Sequence, residues 1–110
     1  MKEFSYFPVA GNINTGVYYP SDCVDVVVLA QNTEEKHDVP DGAKIVLFKS
    51  GGDEFWAKAG VVNATAAIPA SDVTDGTGSV KNPVGWYIED MAKISFIASP
   101  TTTISLEYFK

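Results

Sequence analysis

The sequence predicts an all-β protein: a small antiparallel β-sandwich or jelly-roll-like barrel with an irregular N-terminal arm. Three observations predict it. Short runs rich in β-branched and aromatic residues recur along the chain, and Gly, Pro, Asn and Asp clusters separate them. No run of ten or more residues shows a 3.6-residue period, and the nearest, Gln31 to Asp38, has no apolar stripe to hold a helix against a core. The 110 residues are 45% hydrophobic and 12% aromatic, enough for one packed domain and too few for two. The division expected is an arm or edge segment over residues 1–22 and a sandwich over 23–110.

The arm is the least regular part. Phe4 to Phe7 and Val17 to Tyr19 read as short strands among Gly11, Asn12, Asn14, Gly16 and Pro20. Val24 to Ala30 is β-branched and nearly continuous, which predicts a strand covered on both faces. Gln31 to Asp38 reads as an exposed loop, and Pro40-Asp-Gly42 breaks the chain before a strand at Lys44 to Ser50. Ser50-Gly-Gly-Asp53 offers the positive-φ positions of a hairpin into Glu54 to Lys58. Ala64 to Ile68 and Gly85 to Ile88 are further short strands, and Glu89 to Met91 reads as a turn or a single helical turn. Lys93 to Ala98 places Ile94 and Phe96 on one face, and Ser99-Pro-Thr101 reads as a hairpin into the last strand. That last strand is the clearest. Ile104, Leu106 and Tyr108 alternate with Thr103, Ser105 and Glu107, as in a half-buried antiparallel strand.

Charge and composition exclude several functions. The net charge is −6, from 14 acidic and 8 basic residues, and every basic residue is lysine. An acidic chain without arginine lacks the phosphate-binding signature of a nucleic-acid partner. No stretch approaches the roughly 18 consecutive apolar residues of a membrane helix, and Met1 to Pro8 has no signal-peptide core. Synthesis in the cytoplasm is expected. Cys23 is the only cysteine, so neither an intrachain disulfide nor a thiolate zinc site is available, and a buried thiol is expected.

Ala66 to Pro83 is small, polar and glycine-rich, and invites a ligand reading. As a phosphate loop it fails, because Lys81 stands three residues past Gly78 and Asp75 would repel phosphate. As a calcium loop, Asp72 and Asp75 with Thr74 and Thr77 lack the EF-hand order and its closing glutamate, which leaves open only an irregular, weak Ca²⁺ site. Asp-Gly and Gly-Ser are turn formers, and the threonines suit a loop backbone. His37, the single histidine, lies in a charged run with no nucleophile elbow in the chain, so a solvated surface role is expected. The pairs Glu34-Glu35, Asp53-Glu54 and Glu89-Asp90 are adjacent in sequence, so on a strand each would point to opposite faces. No catalytic residue, cofactor or metal ligand is expected. The candidate contact residues are the aromatics of the arm: Phe4, Tyr6, Phe7, Tyr18 and Tyr19.

A family likeness lies in several quoted stretches. These are Val39-Pro-Asp-Gly-Ala43, Ser50-Gly-Gly-Asp-Glu-Phe-Trp56 and Ala66 to Ser79 with Asn82-Pro83. Ile94-Ser-Phe-Ile-Ala98 and Ile104-Ser-Leu-Glu-Tyr-Phe109 complete it. Together they resemble small structural proteins encoded among the virion genes of tailed bacteriophages. The likeness runs from Val39 to the last residue and is strongest over Asp72 to Ser79. It implies a non-enzymatic virion protein, most often a capsid decoration (cement) protein. The major capsid protein or another virion protein would be the partner, and the chain would form a homo-oligomer. The alternative it implies is a tail, fibre or glycan-binding β module. On that reading Trp56, Trp86 or Tyr18-Tyr19 would meet host glycan.

Overall fold

The computed structural model describes residues 1–9 and 12–110, with side chains over 1–6 and 17–110. Phe7 therefore has a described backbone only. Ten strands follow in order: β1 (Tyr6–Val9), β2 (Asn12–Tyr18), β3 (Cys23–Leu29), β4 (Glu35–Asp38) and β5 (Ile45–Ser50), then β6 (Trp56–Gly60), β7 (Val80–Lys81), β8 (Gly85–Tyr87), β9 (Lys93–Ile97) and β10 (Thr102–Phe109). There is no helix among the described residues. β1 and β2 form a two-stranded hairpin. The other eight strands form two four-stranded antiparallel sheets, ordered β3-β10-β5-β8 and β4-β9-β6-β7.

Pairing among the eight is nested. β3 pairs with β10, β4 with β9, β5 with β8 and β6 with β7. First meets last, second meets seventh, and so inward, while β5–β10 and β6–β9 pairings complete the two sheets. Both sheets bury one face in a common core. Val27, Leu29, Val46, Phe48, Ile104, Leu106 and Tyr108 come from one sheet, and Ala57, Ile94 and Phe96 from the other. Phe48 lies at the centre of an aromatic nest, 5.0 Å from the ring of Trp86, 6.1 Å from Phe96 and 6.3 Å from Phe55. Each such buried side chain contributes about 1.5–3 kcal/mol through removal from water.

Several expectations are corrected. Residues 35–38 are not loop but strand β4, paired with β9 from Glu35↔Phe96 to Asp38↔Lys93. β4 is an edge strand with mostly exposed charged side chains, so it carries no apolar alternation to read. Ser50 to Asp53 and Ser99 to Thr101 are not hairpin turns. Each carries the chain from one sheet to the other, because nested pairing gives β5 and β10 partners distant in sequence. Gly52 does take the positive φ expected of it, at 101°. Ala64 to Ile68 makes no ladder. Ala64 and Ala66 are buried while their neighbours are exposed, so the alternation is real, but the segment lies over a sheet without pairing to it. β3 is covered on one face only: Val27 and Leu29 point into the core, whereas Val24, Val26 and Val28 are 46%, 62% and 63% exposed.

Candidate functional site

The arm's aromatics gather where β10 ends. Phe109 lies on the outer face of its sheet by alternation with Tyr108, yet it is fully buried. Phe4 and Tyr18 cover it, with ring centroids 5.3 and 6.1 Å from Phe109 and 5.8 Å from each other. Both contacts with Phe109 are edge-to-face, the arrangement the ring quadrupoles prefer. The backbone joins in, since Lys110 N–H donates to the Lys2 carbonyl at 2.9 Å.

Glu107 binds the second strand of the hairpin to the body. It accepts from the Tyr18 hydroxyl at 2.7 Å and from Ser21 N–H at 3.5 Å, and pairs with Lys49 at 3.3 Å. The Lys49 ammonium also stands 5.3 Å from the centre of the Tyr18 ring. Burial by itself raises the Glu107 carboxyl. The Tyr18, Lys49 and Ser21 donors outweigh it and hold the group below the ordinary glutamate value. Ser21 completes the joint by donating to the Tyr108 carbonyl at 2.5 Å and accepting from Cys23 N–H at 2.9 Å. The N-terminal ammonium pairs with Asp22 at 3.6 Å.

Of the candidate contact residues, Phe4 and Tyr18 are thus brought together as a clasp on the body. Tyr6 and Tyr19 remain substantially exposed on the hairpin side. The Phe7 side chain lies outside the described residues. Glu107, Lys49 and Ser21 escaped the sequence reading, because they lie 28 or more residues apart along the chain. The one available signal was a glutamate at the parity of Thr103, Ser105 and Phe109, opposite the core-facing residues of that strand.

The glycine-rich segment is a covering loop. Asp75 accepts from the N–H of Thr77 at 3.1 Å and from its hydroxyl at 2.6 Å, an Asx turn around Gly76 at φ 88°. Those hydrogen bonds, the side-chain one first, lower the Asp75 carboxyl. Lys58 donates to the Thr77 carbonyl at 2.8 Å and Ala67 N–H donates to Ser79 at 3.0 Å. Beneath it, fully buried Ser95 accepts from Ala66 N–H at 2.8 Å and donates to Glu34. His37 is not simply solvated. It is half-buried and meets the Asp25 carboxylate at 2.9 Å, linking the edges of the two sheets. Cys23 is half-buried against the core.

Trp86 is engaged by Phe48 in the core, whereas Trp56 borders two surface grooves of about 450 and 420 Å³. Among the described residues no three of His, Cys, Asp and Glu come together as metal ligands do. No family model, curated protein or solved structure matches the chain.

Proposed function

We propose that the chain is a non-enzymatic structural protein of a bacteriophage particle, most specifically a capsid decoration protein carried on the outer capsid surface. The body is a jelly-roll β-sandwich on this reading. Its support is the nested pairing of β3 to β10, in which eight strands act as one long antiparallel hairpin rolled into two sheets. The observation that carries the function is the β1–β2 hairpin. It forms a sheet of its own while Phe4, Tyr18 and Ser21 fasten its base to the body. A rigid body with a fastened two-stranded extension suits a protein that attaches repeatedly to a lattice.

The test is attachment. Purified chain is added to phage capsids stripped of it, and occupancy is read by sedimentation and by antibody labelling under the electron microscope. Full-length chain is expected on the head, and a variant lacking residues 1–22 is expected to lose occupancy. Labelling of the tail alone, or no labelling of particles, would sink the reading.

A second reading rests on Trp56. An indole between two grooves, with Ser71, Asp72 and Ser79 nearby, offers an apolar platform and polar groups to a sugar. It expects neutral oligosaccharide binding on a glycan array that Trp56→Ala removes. An array without hits discards it.

A further inference from the structure

We infer that the β1–β2 hairpin of one copy docks on the β3 edge of a second copy, over Val24, Val26 and Val28, so that the chain associates with itself head to tail. The inference deepens the reading of the hairpin as an attachment element and rests on it.

The acceptor is an unusual edge. β3 ends its sheet, so one side of its backbone has no ladder partner among the described residues. Edge strands are ordinarily blunted by lysine, proline or a bulge. β3 has no lysine or proline, its one charge, Asp25, lies on the inner face against His37, and its register with β10 runs unbroken from Cys23↔Tyr108 to Leu29↔Thr102. Its outer face presents a stripe of three exposed valines. β4, the edge strand tied to it through His37 and Asp25, is by contrast charged at every position but the histidine. Of these two neighbouring edges, β3 is the one with an apolar outer face.

The donor is a hairpin short of a third strand. A two-stranded ribbon is marginal in water until another strand or surface joins it. β2 and β3 are seven residues each, so one can run the length of the other, about 24 Å. Docking within one chain is ruled out by the clasp. Tyr18 and Ser21 fasten the hairpin at the Cys23 end of β3, and Val26 and Val28 stay exposed toward the other end.

Charge favours a second copy as the occupant. Two chains of net charge −6 repel at most surfaces. Residues 4–21 contain no charged side chain at all, and the face they would cover is valine. Nearby, Asp22 pairs with the N-terminal ammonium and Asp25 is hydrogen-bonded to His37. An uncharged ribbon and an uncharged stripe are where two acidic copies approach with least repulsion. Donor and acceptor are different surfaces, so the contact is heterologous, and a ring gives each copy one of each.

Light scattering on the full chain tests this. An oligomer that dissociates on dilution is expected. The double variant Val26→Lys, Val28→Lys changes only exposed positions, and its fold is checked by circular dichroism and melting temperature. It is expected to run as a single chain, with association weakened about tenfold or more. A second variant replaces residues 7–16 with a short Gly-Ser link and keeps Phe4 and Tyr18. It too is expected to be monomeric. Mixing the two variants restores one functional hairpin and one functional edge, so a one-to-one heterodimer is expected. A monomeric full chain, variants that keep the parental mass, or a mixture that forms no heterodimer would each overturn the inference. Capsid occupancy is scored separately, so loss of capsid binding with self-association intact counts against the decoration reading alone.

Discussion

At the scale of single residues, two polar groups near the end of β10 carry opposite expectations. The Tyr108 hydroxyl is buried and has no hydrogen-bond partner among the described residues. Burial, with the negative charge of Asp25 after it, pushes the phenol well above its ordinary value, so it stays neutral and its desolvation is uncompensated. Tyr108→Phe removes only the hydroxyl from a ring that is already fully buried. We expect it to stabilise the fold by about 1 kcal/mol, measured by urea denaturation. Glu107 is the reverse case, a carboxylate with three donors. Its folded value is depressed, so its contribution is complete above the unfolded value of 4.5 and is lost as pH falls through the lowered folded value. Acidification below 4.5 should therefore loosen the N-terminal clasp. Limited proteolysis at Lys2 to Phe4 is expected to speed up in that window. Glu107→Gln is expected to be more susceptible above it, by about 1 kcal/mol of lost charged hydrogen bonding, and flat across it.

At the scale of elements, the segment between β6 and β7 covers the outer face of one sheet while making no ladder of its own. Its attachment is a few side-chain anchors. Ser95→Ala would leave the Ala66 N–H and the Glu34 carboxylate without their shared hydroxyl, at a cost of about 1–3 kcal/mol. Faster protease cleavage within 67–79, with little change at β10, is the expected result. The segment also leaves β6 tightly: a Cβ on Gly60 would lie 2.1 Å from the Asn63 carbonyl oxygen. Gly60→Ala must shift backbone, and a loss of melting temperature larger than that of Ser95→Ala is expected. These elements show what a single sequence discloses. The core face of β10 was legible, because Ile104, Leu106 and Tyr108 alternate strictly against polar neighbours. Of the glycines at positive φ, Gly52 was legible as such, whereas Gly42 and Gly76 were legible only as turn residues. β4 was not, since Glu-Lys-His-Asp has no apolar member to mark a face. The open face of β3 was equally hidden, because valine stands at both parities and the pattern carries no sign of which side meets the core. The clasp was half legible. Aromatic enrichment near the N-terminus was visible, but whether those rings turn outward or onto Phe109 depends on a partner about a hundred positions away.

At the scale of the whole molecule, the nested pairing decides how the chain must fold. Hairpin turns would have let each strand find its neighbour locally. Instead β3 must meet β10 and β4 must meet β9, closing loops that enclose nearly the whole body. Loop-closure entropy is lost before such contacts return any energy, which places the fold among slow, non-local topologies. β10 is central to one sheet, paired on both sides with β3 and β5, and it brings Ile104, Leu106 and Tyr108 to the core. The body therefore cannot close without its last strand. Refolding from urea is expected to take milliseconds to seconds, as in other all-β domains, and to be single-exponential. Leu106→Ala opens a cavity at a fully buried position and should cost about 2–5 kcal/mol. If β3–β10 closure is the rate-limiting event, that loss falls largely on the folding rate, whereas Ser95→Ala, whose partner segment docks on a finished sheet, should mainly speed unfolding. Stopped-flow refolding of the two variants separates these outcomes. Equal partitioning in both would show that the nested closure is not the step that sets the rate.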